Sequence, residues 1–477
     1  MTSPSTSSSS LSTANNGGRD GDVVIQMASP DAINITQLTS SMEESLKSVE
    51  KTDWLLRPSA GMRSCCIFKV PQWLVEVNGQ TYHPHIVSIG PYHHGKPDLE
   101  MMQQHKWRYL RDLLARTPPT GPTLADYLQL VAFKEEDIRG CYSETRKLSK
   151  SELVQMMVVD GLFIIEIFFR VERLSERDPC VDPDDAIFNL NWLLPKLMLD
   201  LLRLENQIPF FVLEMLFNQS KPSRPNCDEY SSLSKASLKF FNFAVLQRSD
   251  EDLEKYYHLG GVHLLDLIRK TYIHDIPHPP RGNAFESVDK IRSVKKLHQA
   301  GIKFKKGEAA SFLDIKFRNG VLEVPQMTVD DLRVHLFLNF VAFEQCYNHC
   351  HKHITTYAVF MNCLNGTPAD TSFLCDRNII ENYLGSDEEV THFFKNLGKD
   401  AAFDINASYL LQLFKDVNEH CNNVWNVQWA GFMLTYFDTP WSFMSASAVL
   451  IALLLTAIQT VLAIYASDGP GGHGGRQ

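Results

Sequence analysis

Polar and small residues fill the start of the chain, and an apolar rhythm sets in only after about forty positions. Residues 1 to 38 are rich in Ser, Thr, Asn and Gly and carry no apolar period, a pattern that predicts disorder. Ser40-Ser41-Met42-Glu43 then reads as a capping box, and Met42, Leu46 and Val49 share one helical face. Two segments have a different texture. Cys66-Ile-Phe-Lys-Val-Pro71 and Trp73-Leu-Val-Glu-Val77 lead into Asn78-Gly79, and the stretch from Phe312 to Val324 is divided by Asn319-Gly320. Asn-Gly between β-prone runs is a strong hairpin signal, so both segments are expected to form hairpins.

The remaining body reads as helices. Leu99 to Leu114 is amphipathic, whereas Met156 to Phe169 is apolar nearly all round and carries Asp160 and Glu166. Crossing a bilayer takes about 20 apolar residues, so this shorter run is expected to be a central core helix. Leu190 to Phe217 is a second core segment, broken by Pro195 and Pro209. Within it, Glu205-Asn206-Gln207 looks like a polar joint whose side chains satisfy backbone groups that Pro209 frees.

The last apolar run is different in kind. Trp441 to Tyr465 contains no charged residue, and Asp438 and Asp468 bracket it. At ~1.5 Å per residue it is roughly 37 Å long, enough for a ~30 Å hydrocarbon layer. Trp441 and Tyr465 stand at its ends, where amphipathic aromatics favour the interface, and Pro440 suits a first helical turn. The expected fold is therefore mainly α (α+β): a large helical globular body with two small β-hairpin regions, plus one C-terminal transmembrane helix. The expected organisation is residues 1–38 disordered, 39–438 body, 439–466 membrane helix and 467–477 a short Gly-rich tail. The N-terminus shows neither a basic start nor an apolar run. Insertion after synthesis, with the body on the cytosolic side, is the expectation.

Charge and chemistry narrow the function. The formal net charge is −10, which argues against a nucleic-acid partner. The run Lys303-Phe304-Lys305-Lys306 reads as solvated surface. Ten cysteines lie scattered without a CxxC pair, so thiols are expected rather than a disulfide framework. No nucleophile elbow, phosphate loop, HExxH or dinucleotide fingerprint occurs. His83, His85, His93, His94 and His105 form one His-rich turn. In a second cluster, Cys346, His349 or Cys350, and His353 would share a face if the segment were one helix, with His351 beside them. Packing or surface roles are expected for both clusters, with no metal and no cofactor. Glu389 to His392 is a single ExxH, short of what a di-iron bundle needs. Asp160, Glu166, Asp200 and Glu205 sit among apolar residues, where a carboxylate either is tuned for acid–base work or pairs structurally, as Asp200 could with Arg203. The structural role is the expected one, which leaves no catalytic residue.

Several blocks together resemble a known family. They are Tyr82-His-Pro84, Val87-Ser-Ile-Gly-Pro-Tyr-His-His-Gly95, His105-Lys106 and Met157-Val-Val-Asp-Gly-Leu-Phe163. Asp200-Leu-Leu-Arg-Leu-Glu-Asn-Gln-Ile-Pro-Phe-Phe211, Gly320-Val-Leu-Glu-Val-Pro325 and Asp438-Thr-Pro-Trp441 continue the series. This pattern is similar to that of the plant "domain of unknown function 247" family and covers roughly residues 60 to 466. Small departures occur at Met102-Gln103 and Asn339-Phe340. The resemblance implies a membrane protein of a family largely without demonstrated biochemical activity. Some members are implicated in grass self-incompatibility, as pollen-side determinants acting with small stigma-side ligands, and one in sex determination. It implies a scaffold role for Tyr82, Pro84, Ser88, Gly90, Pro91, His93, Gly95, Asp160, Glu205, Asn206, Gln207 and Pro209. Recognition would then fall to loops near Arg177–Asp185, Lys221–Asp228 and His274–Asn283. The expected partners are a lipid bilayer, through the C-terminal helix, and a protein or peptide ligand. The alternatives are a membrane-tethered enzyme using Asp160, Glu166 or Glu205, and a cytosolic-face adaptor in stress or defence signalling.

Overall fold

The computed structural model describes residues 35–49, 56–144, 148–175, 185–221, 232–277, 288–309, 311–399, 401–437 and 440–467. Of residues 1–38, expected to be disordered, 35–38 are helical instead, while 1–34, the Gly-rich tail after Ser467 and most of the three loops assigned to recognition lie outside the described residues. The chain divides into two units, Met1–Asp53 and Trp54–Gln477. In the first, a helix spans Ile35–Val49. It opens ahead of Ser40, so that residue is no cap; its hydroxyl donates back to the Thr36 carbonyl at 3.1 Å, the usual resort of a serine inside a helix.

In the second unit the Lys150–Ser175 helix runs through the core. Leu162, Phe163, Ile165 and Ile167 along it are fully buried. The helices Met101–Arg116, Leu124–Phe133, Phe210–Ser220 and Leu233–Phe241 pack around it, which explains an apolar pattern on every side. Gly161 permits the closest approach: a Cβ there would lie 2.4 Å from Leu216 Cδ1. Leu190 to Phe217 becomes two helices, Leu193–Asp200 and Phe210–Ser220, parted at the polar joint as expected.

Strands are few. β1 (Lys303–Gly307), β2 (Lys316–Arg318) and β3 (Val321–Pro325) form a sheet of order β1-β3-β2, with Leu322 opposite both Phe304 and Phe317. β2 and β3 are the expected hairpin. Asn319 and Gly320 both have positive φ, 51° and 74°, as the two-residue turn demands. β4 (Met327–Val329) pairs in parallel with β5 (Ile380–Asn382). Both strands contact neighbouring helices, β4 meeting Asp331–Cys346 and β5 meeting Pro368–Asp376.

The first expected hairpin does not form. Gln72–Asn78 is a short helix, followed by a 3₁₀ turn at Gly79–Tyr82. The Asn78-Gly79 pair ends that helix: Gly79 takes φ +61° and its N–H donates to the Val75 carbonyl. Pro71 just before the helix and a glycine just after it are helix boundary signals as well as turn signals. The helix buries Leu74, while Trp73 stays partly exposed.

His263 joins the Cys66 segment to a helix nearly two hundred residues further along the chain. It caps the Leu264–Ile273 helix, with Nδ1 accepting the Asp266 N–H at 3.1 Å and Nε2 3.1 Å from the Cys66 carbonyl. Both contacts are satisfied by a neutral ring, and burial pushes its pKa down to about 4. The folded pKa lies below the unfolded value of ~6.5, so this contribution is complete above that pH and is lost as pH falls toward 4. Urea unfolding of the detergent-solubilised protein is expected to show roughly 3 kcal/mol of stability lost across this window. In His263→Asn, which keeps an oxygen for the Asp266 N–H, that component of the pH dependence disappears.

Candidate functional site

Residues 83 to 95 follow no helix or strand, yet Val87, Ser88, Ile89, Tyr92 and His93 are buried. Buried N–H groups need acceptors, and an irregular segment cannot supply its own. Side chains from the end of the Leu193–Asp200 helix, from the chain after it and from the core helix supply them. The Asp200 carboxylate accepts the N–H groups of His85 (2.9 Å), Ile86 (2.7 Å) and Val87 (3.1 Å). Arg203 Nε lies 2.9 Å from Asp200 Oδ1 and balances its charge. The same guanidinium donates to the Thr81 carbonyl and meets His85 Nδ1 at 2.8 Å.

Asn206 and Gln207 extend the junction. Asn206 Oδ1 accepts the Ile89 N–H at 2.7 Å, while its amide nitrogen donates to the carbonyls of Val87 (3.1 Å) and Asp200 (2.9 Å). Gln207 Nε2 donates to Leu201 and Arg203 carbonyls at 2.7 and 2.8 Å, and its oxygen accepts from Leu265 N at 3.3 Å. From the core helix, Asp160 accepts the Gly90 N–H at 2.9 Å. Its second oxygen pairs with Lys106 Nζ at 2.5 Å, and Lys106 also donates to the Ser88 carbonyl. Gly90 has φ +71°, and a Cβ there would come within 2.6 Å of the Gln207 carbonyl oxygen. Only glycine fits that approach.

Glu205 ties down a separate strand of the chain. It accepts the Val70 N–H at 2.9 Å and pairs with Lys69. His93 Nε2 lies 3.0 Å away and His83 Nε2 4.0 Å away. Burial alone would raise the Glu205 pKa, but His93, Lys69 and the Val70 N–H outweigh it and hold it low. Burial pushes His93 down as well. The arrangement is a charged carboxylate beside a neutral imidazole. Such a group holds backbone and cation well but is a weak base at neutral pH.

The other expected residues fall in or beside this junction. Tyr82 is buried, its hydroxyl accepting from Asn78 at 3.0 Å. Pro84 and Pro91 lie in the irregular segment, Gly95 takes φ +76° near its end, and Pro209 precedes the Phe210–Ser220 helix. Glu166 lies apart, held by Arg116, Arg170 and Arg173. Arg170 also pairs with Asp112 and Asp185 and stacks over Tyr109 at 3.9 Å.

Some partners carry no local signal in the sequence. Lys106 and Asp160 are 54 positions apart, and Asp200 and His85 are 115 apart. Glu344 is another, buried with no local signal of its own. It accepts the N–H groups of Ile354 (3.2 Å) and Thr355 (2.7 Å) at the start of the His353–Leu364 helix, and Arg269 at 2.9 Å.

The Cys/His cluster is not on one helix. The Asp331–Cys346 helix ends before His349, and a new one starts at His353. His349 Nε2 turns to the Gly61 carbonyl at 2.9 Å, and Cys350 Sγ donates to Tyr347 O. Burial pushes the Cys346 and Cys350 thiols up to about 12. Among the described residues no group of three His, Cys, Asp or Glu side chains is placed to hold a metal, and the described cysteines are free. Beside the junction a cleft of about 440 Å³, lined by Ser88, His94, Glu100 and Trp107, adjoins a more apolar one of about 590 Å³ that shares Trp107, Gln155 and Val159.

A family model described as a plant protein of unknown function, DUF247, matches residues 67–455. A UPF0481 protein of Arabidopsis thaliana is 38% identical over 456 residues, covering 91% of this chain and 93% of its own. A putative UPF0481 protein of the same plant is 22% identical, covering 84% of this chain and 90% of its own. No solved structure matches this chain.

If the junction is a fold constraint, changes there cost stability. Asp200→Asn exposes three N–H donors to an amide and leaves Arg203 buried without its counter-charge, an expected loss of roughly 3–5 kcal/mol. Gly90→Ala is expected to cost about 1–3 kcal/mol through its backbone conformation, with the contact to Gln207 O added. Denaturant unfolding and steady-state abundance measure both.

Proposed function

The chain belongs to the DUF247 family of plant proteins, and from that premise we propose a non-enzymatic, single-pass membrane protein that acts in recognition or signalling. The C-terminal helix holds it in a bilayer, and the body offers its surface loops to a protein or peptide partner. One observation carries the reading. Phe443–Ile464 has a mean hydropathy of 2.4, and none of it is buried against the rest of the protein. A long apolar helix that the body does not bury calls for a lipid environment.

Against the enzyme alternative stands the occupation of its carboxylates. Asp160 is engaged by Lys106 and the Gly90 N–H, Glu166 by three arginines, and Glu205 by Lys69 and the Val70 N–H. The finer reading, a pollen-side determinant of self-incompatibility, draws its support from the family resemblance. An adaptor of the cytosolic membrane face in stress or defence signalling is its rival, and broad expression in leaf and root would favour it. Normal rejection of null pollen by self stigmas would sink the reproductive reading.

Topology has a direct test: protease protection on sealed microsomes, with tags at Met1 and Gln477 and a check for glycans. Of the Asn-x-Ser/Thr sites, which start at Asn34, Asn218, Asn365 and Asn406, Asn218 is exposed and informative. Asn365 is buried, its amide nitrogen donating to the Met361 carbonyl at 2.9 Å, so the folded body leaves it bare on either side. A cytosolic body predicts digestion of the N-terminal tag and no glycan. A protected, glycosylated body would place the recognition surface outside the cytosol.

A further inference from the structure

We infer that the Val424–Phe437 helix is a second membrane contact, lying in the lipid interface and holding the body against the bilayer. This rests on the reading of Pro440–Ser467 as the membrane span. The helix VWNVQWAGFMLTYF carries no charged side chain. Trp425 is 81% exposed and Trp429 61%, and Phe432 and Met433 are exposed as well. A helix this apolar in a water-soluble body is normally buried.

Among the described side chains, part of the helix is covered. Ala430 is buried and Asn426 half-buried, one helical turn apart. They dock where Gly301, at φ +87°, leaves room: a Cβ there would lie 2.9 Å from Ala430 Cβ and 3.6 Å from the Asn426 carbonyl. The body thus fixes the helix through a glycine contact and leaves Trp425 and Trp429 exposed. The Trp429 and Phe432 rings stack there at 5.8 Å.

Lipid is the occupant because of where the helix ends. Only Asp438 and Thr439 separate Phe437 from Pro440, the first residue of the span helix. The three steps from Phe437 to Pro440 reach at most about 11 Å, so the end of the aromatic helix is tied to the membrane surface. Tryptophans are the side chains that favour that zone. An upright helix would carry Trp425 roughly 18 Å away from Phe437, beyond an interfacial layer of about 5–8 Å per side. A flat one keeps both tryptophans within it.

The test uses the full chain in vesicles, with an environment-sensitive fluorescent amino acid placed singly at positions 425, 429, 455 and 133. Leu455 lies in the span, and Phe133 is exposed on the body at 84%. Positions 425 and 429 are expected to be quenched by lipids labelled near the headgroup and to show a several-fold lower iodide quenching constant than position 133. Position 455 is expected to respond to deep acyl-chain quenchers. Iodide quenching at 425 and 429 equal to that at 133, with 455 still in lipid, overturns the interfacial helix and leaves the span intact. Iodide access at 455 overturns the span itself, and the inference with it.

Discussion

A buried backbone without regular structure must find an acceptor for every N–H, and the rest of this body is arranged around that need. The Asp200 carboxylate takes three consecutive N–H groups of residues 85–87. Bringing a carboxylate into the core costs several kcal/mol of lost hydration, and Arg203 together with the three donors offsets it. Asn206, Asp160 and Gly90 then continue the same path through the core. The irregular segment is held from the two helical stretches it passes, so its shape and theirs are fixed together.

The same device recurs elsewhere. Glu344 receives the first N–H groups of the His353–Leu364 helix and ties them to Arg269 of the Leu264–Ile273 helix, which also pairs with Asp266. Glu166 gathers Arg116 and Arg170, and Arg170 reaches Asp185 across fifteen positions. In each case a buried carboxylate spends its lone pairs on backbone or on arginine. This occupation is why the buried acids are read as scaffold, and why recognition is assigned to the surface and the membrane contact.

What the sequence reveals follows from the range of the interactions. The core helix and the Asn319-Gly320 hairpin are written in periods and dipeptides, and both formed where expected. The polar joint at Glu205-Asn206-Gln207 was legible because Pro209 and its neighbours form one local pattern. Its partners were not, since Val70, Val87 and Ile89 lie more than a hundred residues away along the chain. Asn78-Gly79 misled because the same pair closes a hairpin or ends a helix, and the choice depends on whether a strand partner exists. The Cys346 to His353 spacing misled for a related reason: helical register holds only while the helix continues, and this one stops at Cys346.

Amide hydrogen exchange resolved to single residues tests the central claim most directly. If side chains hold the irregular segment, the amides of His85, Ile86, Val87, Ile89 and Gly90 should exchange as slowly as those of the Lys150–Ser175 helix, and Asp200→Asn should release the first three. Exchange at the pace of an open loop, with the core helix still protected, would contradict the account and return these carboxylates to candidacy for chemistry.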